Sequence, residues 1–434
     1  MSSPSGTIPL PVAPPLSSST IRLPGSALPP GAGAEPVRFF ARAAAFLRLV
    51  IRGALLQLVT FGFYRFWLTT AVRRHLWSHT SIAGDAFEYT GRARELLIGV
   101  LLALAVLSPI YLGYFILGIE LERVRSFLSL PLFVLYFVLA QFAIYRARRY
   151  RLTRTIWRGV RFWMTGSGVN YAFRSSMWML LVILTLGGAY PWRAAALEGY
   201  KMRHTRFGNL VGSFVATGDE LFRRAGWIWM IFFCPVIALV LGSLSTLDTV
   251  EPGTKTALII FAVGFGLALP SLPFLWLVFR AIEWRWWANG LRIGGVRVAS
   301  DLGRDAILMI YLKFLFFAVC IGMVGATLVL MAIAGVSSHL MAPMGKLGKA
   351  ASVSDLALTV SEIGGAAGLV LIYLVTFLAI GVVQRFYLQH ELWRAVAQSL
   401  RLDNLDSAAN VVAEGVPVGA LGEGLADSLD VAGF

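Results

Sequence analysis

The stretch LLIGVLLALAVLSPIYLGYFILG, residues 96–118, carries no charged side chain. Runs of about 18 or more such residues can be buried only in a membrane or in the centre of a very large core. Composition decides between the two. Hydrophobic residues make up 57% of the 434-residue chain and charged residues 14%, and the mean hydropathy is +0.72. A soluble fold cannot cover that much apolar surface with so little charge. The chain reads as an all-α, polytopic helical membrane protein.

The formal net charge of +15 would point to nucleic acid in a soluble protein. No nucleic-acid-binding motif accompanies it, so the expected partner is a lipid bilayer with anionic headgroups. The two cysteines, Cys234 and Cys320, lie in apolar runs without a companion ligand, so neither a disulfide framework nor a zinc site is expected. Residues 1–37 hold nine of the 18 prolines and read as a disordered Pro/Ser/Ala/Gly-rich cytoplasmic tail.

Eight apolar segments follow, at about 46–70, 96–118, 127–145, 176–192, 227–247, 256–279, 306–334 and 363–383. Six read as ordinary spans. Segment 46–70 contains Arg48, Arg52 and Arg65, and segment 176–192 is short for a crossing. If all eight cross, 19 Lys and Arg lie inside and 15 outside. If the two unusual segments enter and return, the split is 29 to 5. Positive-inside bias favours six spanning helices plus two half-membrane or interfacial segments, with both termini cytoplasmic; eight spans is the alternative.

The two unusual segments resemble each other. At an offset of 125 residues Thr60, Gly62 and Trp67 meet Thr185, Gly187 and Trp192, His79 meets His204, and Glu95 meets Glu220. This predicts an internal repeat: a first membrane unit at 38–162, a second at 163–284, a degenerate third at 285–400, and an acidic tail at 401–434. Gly in the motif allows positive φ, Thr can bond a freed carbonyl, and Trp favours the headgroup boundary. Pro191 is expected to stop a helix. Such paired segments either anchor the chain at the surface or meet to line a cavity.

The stretches LTLGGAYPW and its weaker copy VTFGFYRFW, RTIWRGVRF (154–162), HTRFGN (204–209) and GEGLADSLDV (422–431) resemble the YjgN-like family of bacterial inner-membrane proteins, a domain of unknown function. The first copy departs from the pattern at Phe66, where the second has Pro191. The resemblance implies a bacterial inner-membrane location and no particular chemistry.

Catalytic motifs are lacking. His75 and His79 share a helix face at metal-ligand spacing, yet Tyr200 takes the place of His75 in the second copy, so solvated histidines and no metal are expected. Glu95 and Glu220 read as acids at helix starts, with charge coupling as the sharper alternative. Lys313 is the one Lys or Arg well inside an ordinary span and becomes a candidate for charge coupling, or it snorkels to the surface. No P-loop, HExxH or Gly-x-Ser-x-Gly occurs, so no enzymatic activity and no cofactor are expected. A transporter or channel for an unidentified small solute is the first reading. A non-transporting envelope, lipid-binding or regulatory membrane protein is the second. Substrate and oligomeric state stay undefined.

Overall fold

The computed structural model describes residues 34–120, 122–245, 266, 274–340 and 353–415. It overturns the all-α expectation. Ten strands close into an antiparallel barrel in which every strand lies beside its sequence neighbours, and the last pairs with the first. The strands are β1 (Glu35–Phe39), β2 (Thr80–Ile82), β3 (Asp85–Tyr89), β4 (Thr155–Trp157), β5 (Val160–Met164), β6 (Thr205–Phe207), β7 (Leu210–Phe214), β8 (Leu291–Ile293), β9 (Val296–Ser300) and β10 (Leu400–Asp403). None exceeds five residues, whereas a membrane-crossing strand needs about 9–11. The barrel is therefore not itself a transmembrane pore.

Four two-residue turns join strands 2–3, 4–5, 6–7 and 8–9 at one rim of the barrel. Ala83–Gly84 and Arg158–Gly159 have positive φ at both positions, the geometry that matches the twist of a tight hairpin. Every other connection leaves from the opposite rim and is helical. These are α1 (Ala43–Val59) with α2 (Arg65–Ser78), α3 (Ala93–Glu120) with α4 (Glu122–Thr153), and α5 (Gly168–Leu184) with α6 (Tyr190–Arg203). Then come α7 (Gly218–Ser245) with α8 (274–290), and α9 (Arg304–Leu340) with α10 (Val353–Gln384), which continues through a π-turn, Arg385–Glu391, into α11 (Leu392–Ser399).

Among the described residues four helices are long and apolar enough to cross a membrane: 93–117, 130–153, 304–334 and 364–399. This replaces the expected count of six or eight. The expected span at 227–247 lies in α7, which is not one of the four, and the one at 256–279 falls largely outside the described residues. Large side chains on the four helices face outward, among them Phe133, Phe316, Met331 and Phe377, each more than 60% exposed. Where α9 meets α10 the helices approach closely: a Cβ on Gly325 would come within 2.6 Å of Thr376. Small residues allow such contact where lipid removes any hydrophobic drive between helices.

The barrel interior is filled. Trp157, Val160, Phe207, Val296 and Leu402 form its buried core, with Phe87, Phe162 and Val298 packed against them. Aromatic rings meet at 4.6 Å between Phe162 and Phe207 and 5.6 Å between Trp157 and Phe207. The same core continues upward into Phe46, Val50, Leu68, Val72 and Leu76 of α1 and α2, and downward into Leu405, Ala408 and Val411. The segment after β10 thus closes the turn rim, held by Asn404 Nδ2 to the Gly295 carbonyl (3.2 Å) and by the Val412 N–H to Asn209 Oδ1 (3.3 Å).

Segments 46–70 and 176–192 are not single rods. Each reverses at its Thr-x-Gly turn, and the two turns match in detail. Thr60 Oγ1 donates to the Leu56 carbonyl (2.7 Å) and accepts from the Tyr64 N–H (3.0 Å). Thr185 Oγ1 does the same with Leu181 (2.8 Å) and Ala189 (3.0 Å). Phe61 and Gly62 sit at φ 49 and 89, Leu186 and Gly187 at φ 50 and 93. Shifted by 125 residues, the ranges 43–59, 65–78, 80–82, 85–89 and 93–120 fall on 168–184, 190–203, 205–207, 210–214 and 218–245. Pro191, expected as a helix stop, lies in the first turn of α6. There its missing N–H has no intrahelical partner to lose. Replacing Thr60 or Thr185 by Val removes both side-chain bonds of that turn, with an expected loss of about 1 kcal/mol locally. Faster amide exchange at Tyr64 or Ala189, respectively, is the measurement.

Candidate functional site: the basic junction between barrel and helices

Chemistry-bearing residues concentrate where the helices meet the barrel. The rim begins with a threonine on three strands. Thr80, Thr155 and Thr205 are buried, and each hydroxyl donates to the carbonyl four residues back, on Leu76, Arg151 and Lys201. Indoles from neighbouring helices complete the layer: Trp77 Nε1 donates to Thr155 Oγ1 and Trp393 Nε1 to Thr80 Oγ1, both at 2.9 Å. Helix ends are thereby locked to strand starts around the rim.

Above that layer lie carboxylates among arginines. Glu95 in the first turn of α3 accepts from Tyr150 (2.7 Å) and pairs with Arg154 (3.0 Å). Glu198 of α6 pairs with Arg148 of α4 (3.3 Å) and with Lys201. Burial alone would raise the Glu198 carboxyl, but Lys201 and Arg148 outweigh it and hold the group below the usual carboxylate range. Tyr171 nearby is pushed up to about 12 by burial and by the Glu198 charge, so its phenol stays neutral. Tyr190 donates to Glu283 (2.8 Å), which also pairs with Arg280. Cations outnumber these acids throughout the layer.

Histidines form a third group. His75 and His79 lie ring to ring at 4.2 Å, and Phe46 touches both His75 (5.7 Å) and the fully buried His390 (4.8 Å). The expectation of solvated histidines therefore fails for His75, which is half-buried because α1 and the buried His390 of the π-turn pack over it. Nδ1 of His79 bonds the His75 carbonyl at 2.7 Å, and His390 meets Glu391 at 2.9 Å. Among the described residues no group of three His, Cys, Asp or Glu has metal-holding geometry. Burial, then the neighbouring His79 and His390, lowers the His75 pKa from 6.5 to about 4.

A base whose pKa falls on folding binds fewer protons in the native state. Stability is then intact above about pH 6.5 and declines as pH drops toward 4. Discounted for partial solvent screening, His75 accounts for roughly 1–2 kcal/mol of that decline. Melting temperatures of the detergent-solubilised protein between about pH 7.5 and 4.5 will show a shallower acid slope for His75→Phe than for the parent chain.

His204 ends α6 as His79 ends α2, with Nδ1 3.2 Å from Thr165 Oγ1. Trp192 donates to Asp219 (3.0 Å), whereas Trp67 stacks on Tyr64. Glu220 starts α7, its N–H 3.4 Å from Thr217 Oγ1, so it does not share the ion-paired setting of Glu95. Lys313 is exposed on the third turn of α9. The hydroxyls of Thr60 and Thr185 are used within their own turns, which does not support a shared transport cavity. Sequence reasoning missed Arg148, Glu198 and His390, whose partners lie on other helices; the two-residue turns flanked by alternating apolar positions were the readable signal for the barrel beneath them.

A small closed barrel, filled with side chains and crowned by apolar helical hairpins above a basic junction, defines the class: a helical protein with four candidate membrane spans around a non-porous barrel. The family model described as "Bacterial protein of unknown function (DUF898)" matches residues 34–428, and the chain belongs to that family, the YjgN family. No curated protein and no solved structure matches the chain.

Proposed function

We propose that the protein is a multi-pass bacterial inner-membrane protein that holds its barrel against the cytoplasmic surface and binds anionic lipid there without transporting a solute. One observation carries this reading. Exposed arginines stand at the starts of the helices that leave the barrel: Arg42 before α1, Arg92 and Arg94 at α3, and Arg304 at α9, with Arg174, Arg223 and Arg224 in the second turns of α5 and α7. A helix N-terminus carries partial positive charge, so each such cation opposes the dipole by roughly 0.3–1 kcal/mol. Acids that complement the dipole already stand in the first turns of α3, α7 and α9 (Glu95, Asp219, Glu220 and Asp305), so the arginines beside them do not serve the helix termini. A ring of cations directly beneath exposed apolar helices instead suits phosphate headgroups at a membrane surface, each contact adding about 1 kcal/mol.

The filled barrel argues in the same direction, because it leaves no polar path along its axis. The matching pairs of elements 125 residues apart support an internal repeat of the hairpins around one rim, while the arginines themselves differ in position between the copies. The test places purified protein in nanodiscs of phosphatidylcholine alone or with phosphatidylglycerol. A higher melting temperature with the anionic lipid, lost in high salt, is expected. Equal melting in both discs would reject the lipid-surface reading.

A further inference from the structure

The first helical hairpin carries a groove. It encloses about 410 Å³ between α1 and α2, floored by Leu49, Gly53, Leu56 and Leu68 and flanked by Arg48 and Arg52. Both arginines are exposed and form no ion pair among the described residues; Arg48 has only a long bond (3.4 Å) to the Ala44 carbonyl of its own helix. Neither α1 nor α2 contains an acid. The two guanidinium groups lie four residues apart, one helical turn or about 6 Å, so both can reach one phosphate. One turn further toward the hairpin tip the same stripe becomes Leu56, 43% exposed, followed by Val59 and Phe61, 75% and 89% exposed.

We infer that this groove is a binding site for a single anionic phospholipid, its phosphate held between Arg48 and Arg52 and one acyl chain lying along Leu56 toward the Phe61 tip. The polarity is set by the helix itself: cations at the barrel end, apolar surface at the tip. Gly53 shapes the floor, since a Cβ there would meet Leu68 at 2.4 Å and force the two helices apart. In the second hairpin Phe173, Met177 and Trp178 occupy the positions of Arg48, Arg52 and Gly53, so it lacks both cations and the glycine floor. The site is thus a property of one hairpin. It deepens the lipid-surface reading above, on which it rests.

Native mass spectrometry of the full chain, released from detergent micelles doped with phosphatidylglycerol or phosphatidylcholine, reads the site directly. The parent protein is expected to retain one phosphatidylglycerol preferentially, and the Arg48→Gln/Arg52→Gln variant to retain it at least about fivefold less, with an unchanged melting temperature in detergent. Arg297→Gln, exposed on β9 and outside both the groove and the arginine ring, is expected to keep the tight lipid. Equal retention by the parent and the groove variant, with the parent still preferring the anionic lipid, overturns the groove and spares the surface reading. Loss of that preference in the parent overturns both. If glycerol phosphate competes as well as the intact lipid, the acyl chain plays no part and the proposal fails.

Discussion

Glu198→Ala is expected to destabilise the protein by about 3–5 kcal/mol, because it leaves two cations in the junction without their counterion. Arg148 and Lys201 both converge on this one carboxylate, from α4 and from α6 itself, and their side chains are only 21% and 14% exposed. Removing the acid costs more than the lost attraction: each cation keeps its desolvation penalty, and they then repel each other. Glu198→Gln preserves shape and one hydrogen bond, so it will recover only part of the loss. Removing charge from both sides, as Glu198→Gln with Lys201→Met, will be milder than the sum of the single changes, with a coupling of about 1–3 kcal/mol in the double-mutant cycle. The 13 tryptophans supply an intrinsic fluorescence signal for these melts in detergent. A Glu198→Ala protein melting within about 1 °C of the parent would show that the triad contributes nothing to stability.

Gly208→Val is the second large effect, and it acts at the opposite rim. Gly208 sits at φ 53, and a Cβ there would lie 2.3 Å from the Val412 carbonyl and 2.5 Å from a Val411 methyl. Valine adds a β-branched side chain in the left-handed region and drives the segment after β10 off the barrel. Leu405, Ala408 and Val411 then leave the core that they close. The expected loss is about 3 kcal/mol or more, the sum of backbone strain and lost burial. Hydrogen exchange will localise it, with 404–412 losing protection while α9 and α10 keep theirs. Gly159 is the control: it has φ 75 in the equivalent turn of strands 4 and 5, with nothing within 4 Å of its added Cβ. Gly159→Ala will show strain alone, roughly 1 kcal/mol. Equal losses at the two glycines would mean that the closing segment does not matter.

The contrast between these two sites explains what could be read in advance. Helices 96–118 and 306–334 declared themselves because each is one long local signal, with every apolar residue voting for the same state. The turns at Thr60 and Thr185 were legible for a related reason, since Thr and Gly act on the backbone within four residues. The barrel was not. Its strands span three to five residues, too few for an alternating pattern to outweigh the helix signals on either side. Its closing pair joins Glu35 to Leu402, a contact between opposite ends of the chain that the sequence does not encode locally. The count of spans failed because charge bias reports which side a loop occupies, not whether a given helix crosses.

For the candidate site the division follows the same line. Sequence alone determined that the chain is rich in apolar helices, that Arg is concentrated between them, and that two segments share a Thr-x-Gly turn, all of which depend on neighbours along the chain. Only the tertiary structure decided that Arg148 and Glu198 meet, that half-buried His75 and buried His390 both pack on Phe46, and that ten short strands close beneath the helices. Those contacts bring together residues from about 50 to more than 300 positions apart, and their energies exist only once the barrel has fixed the helix ends in one ring.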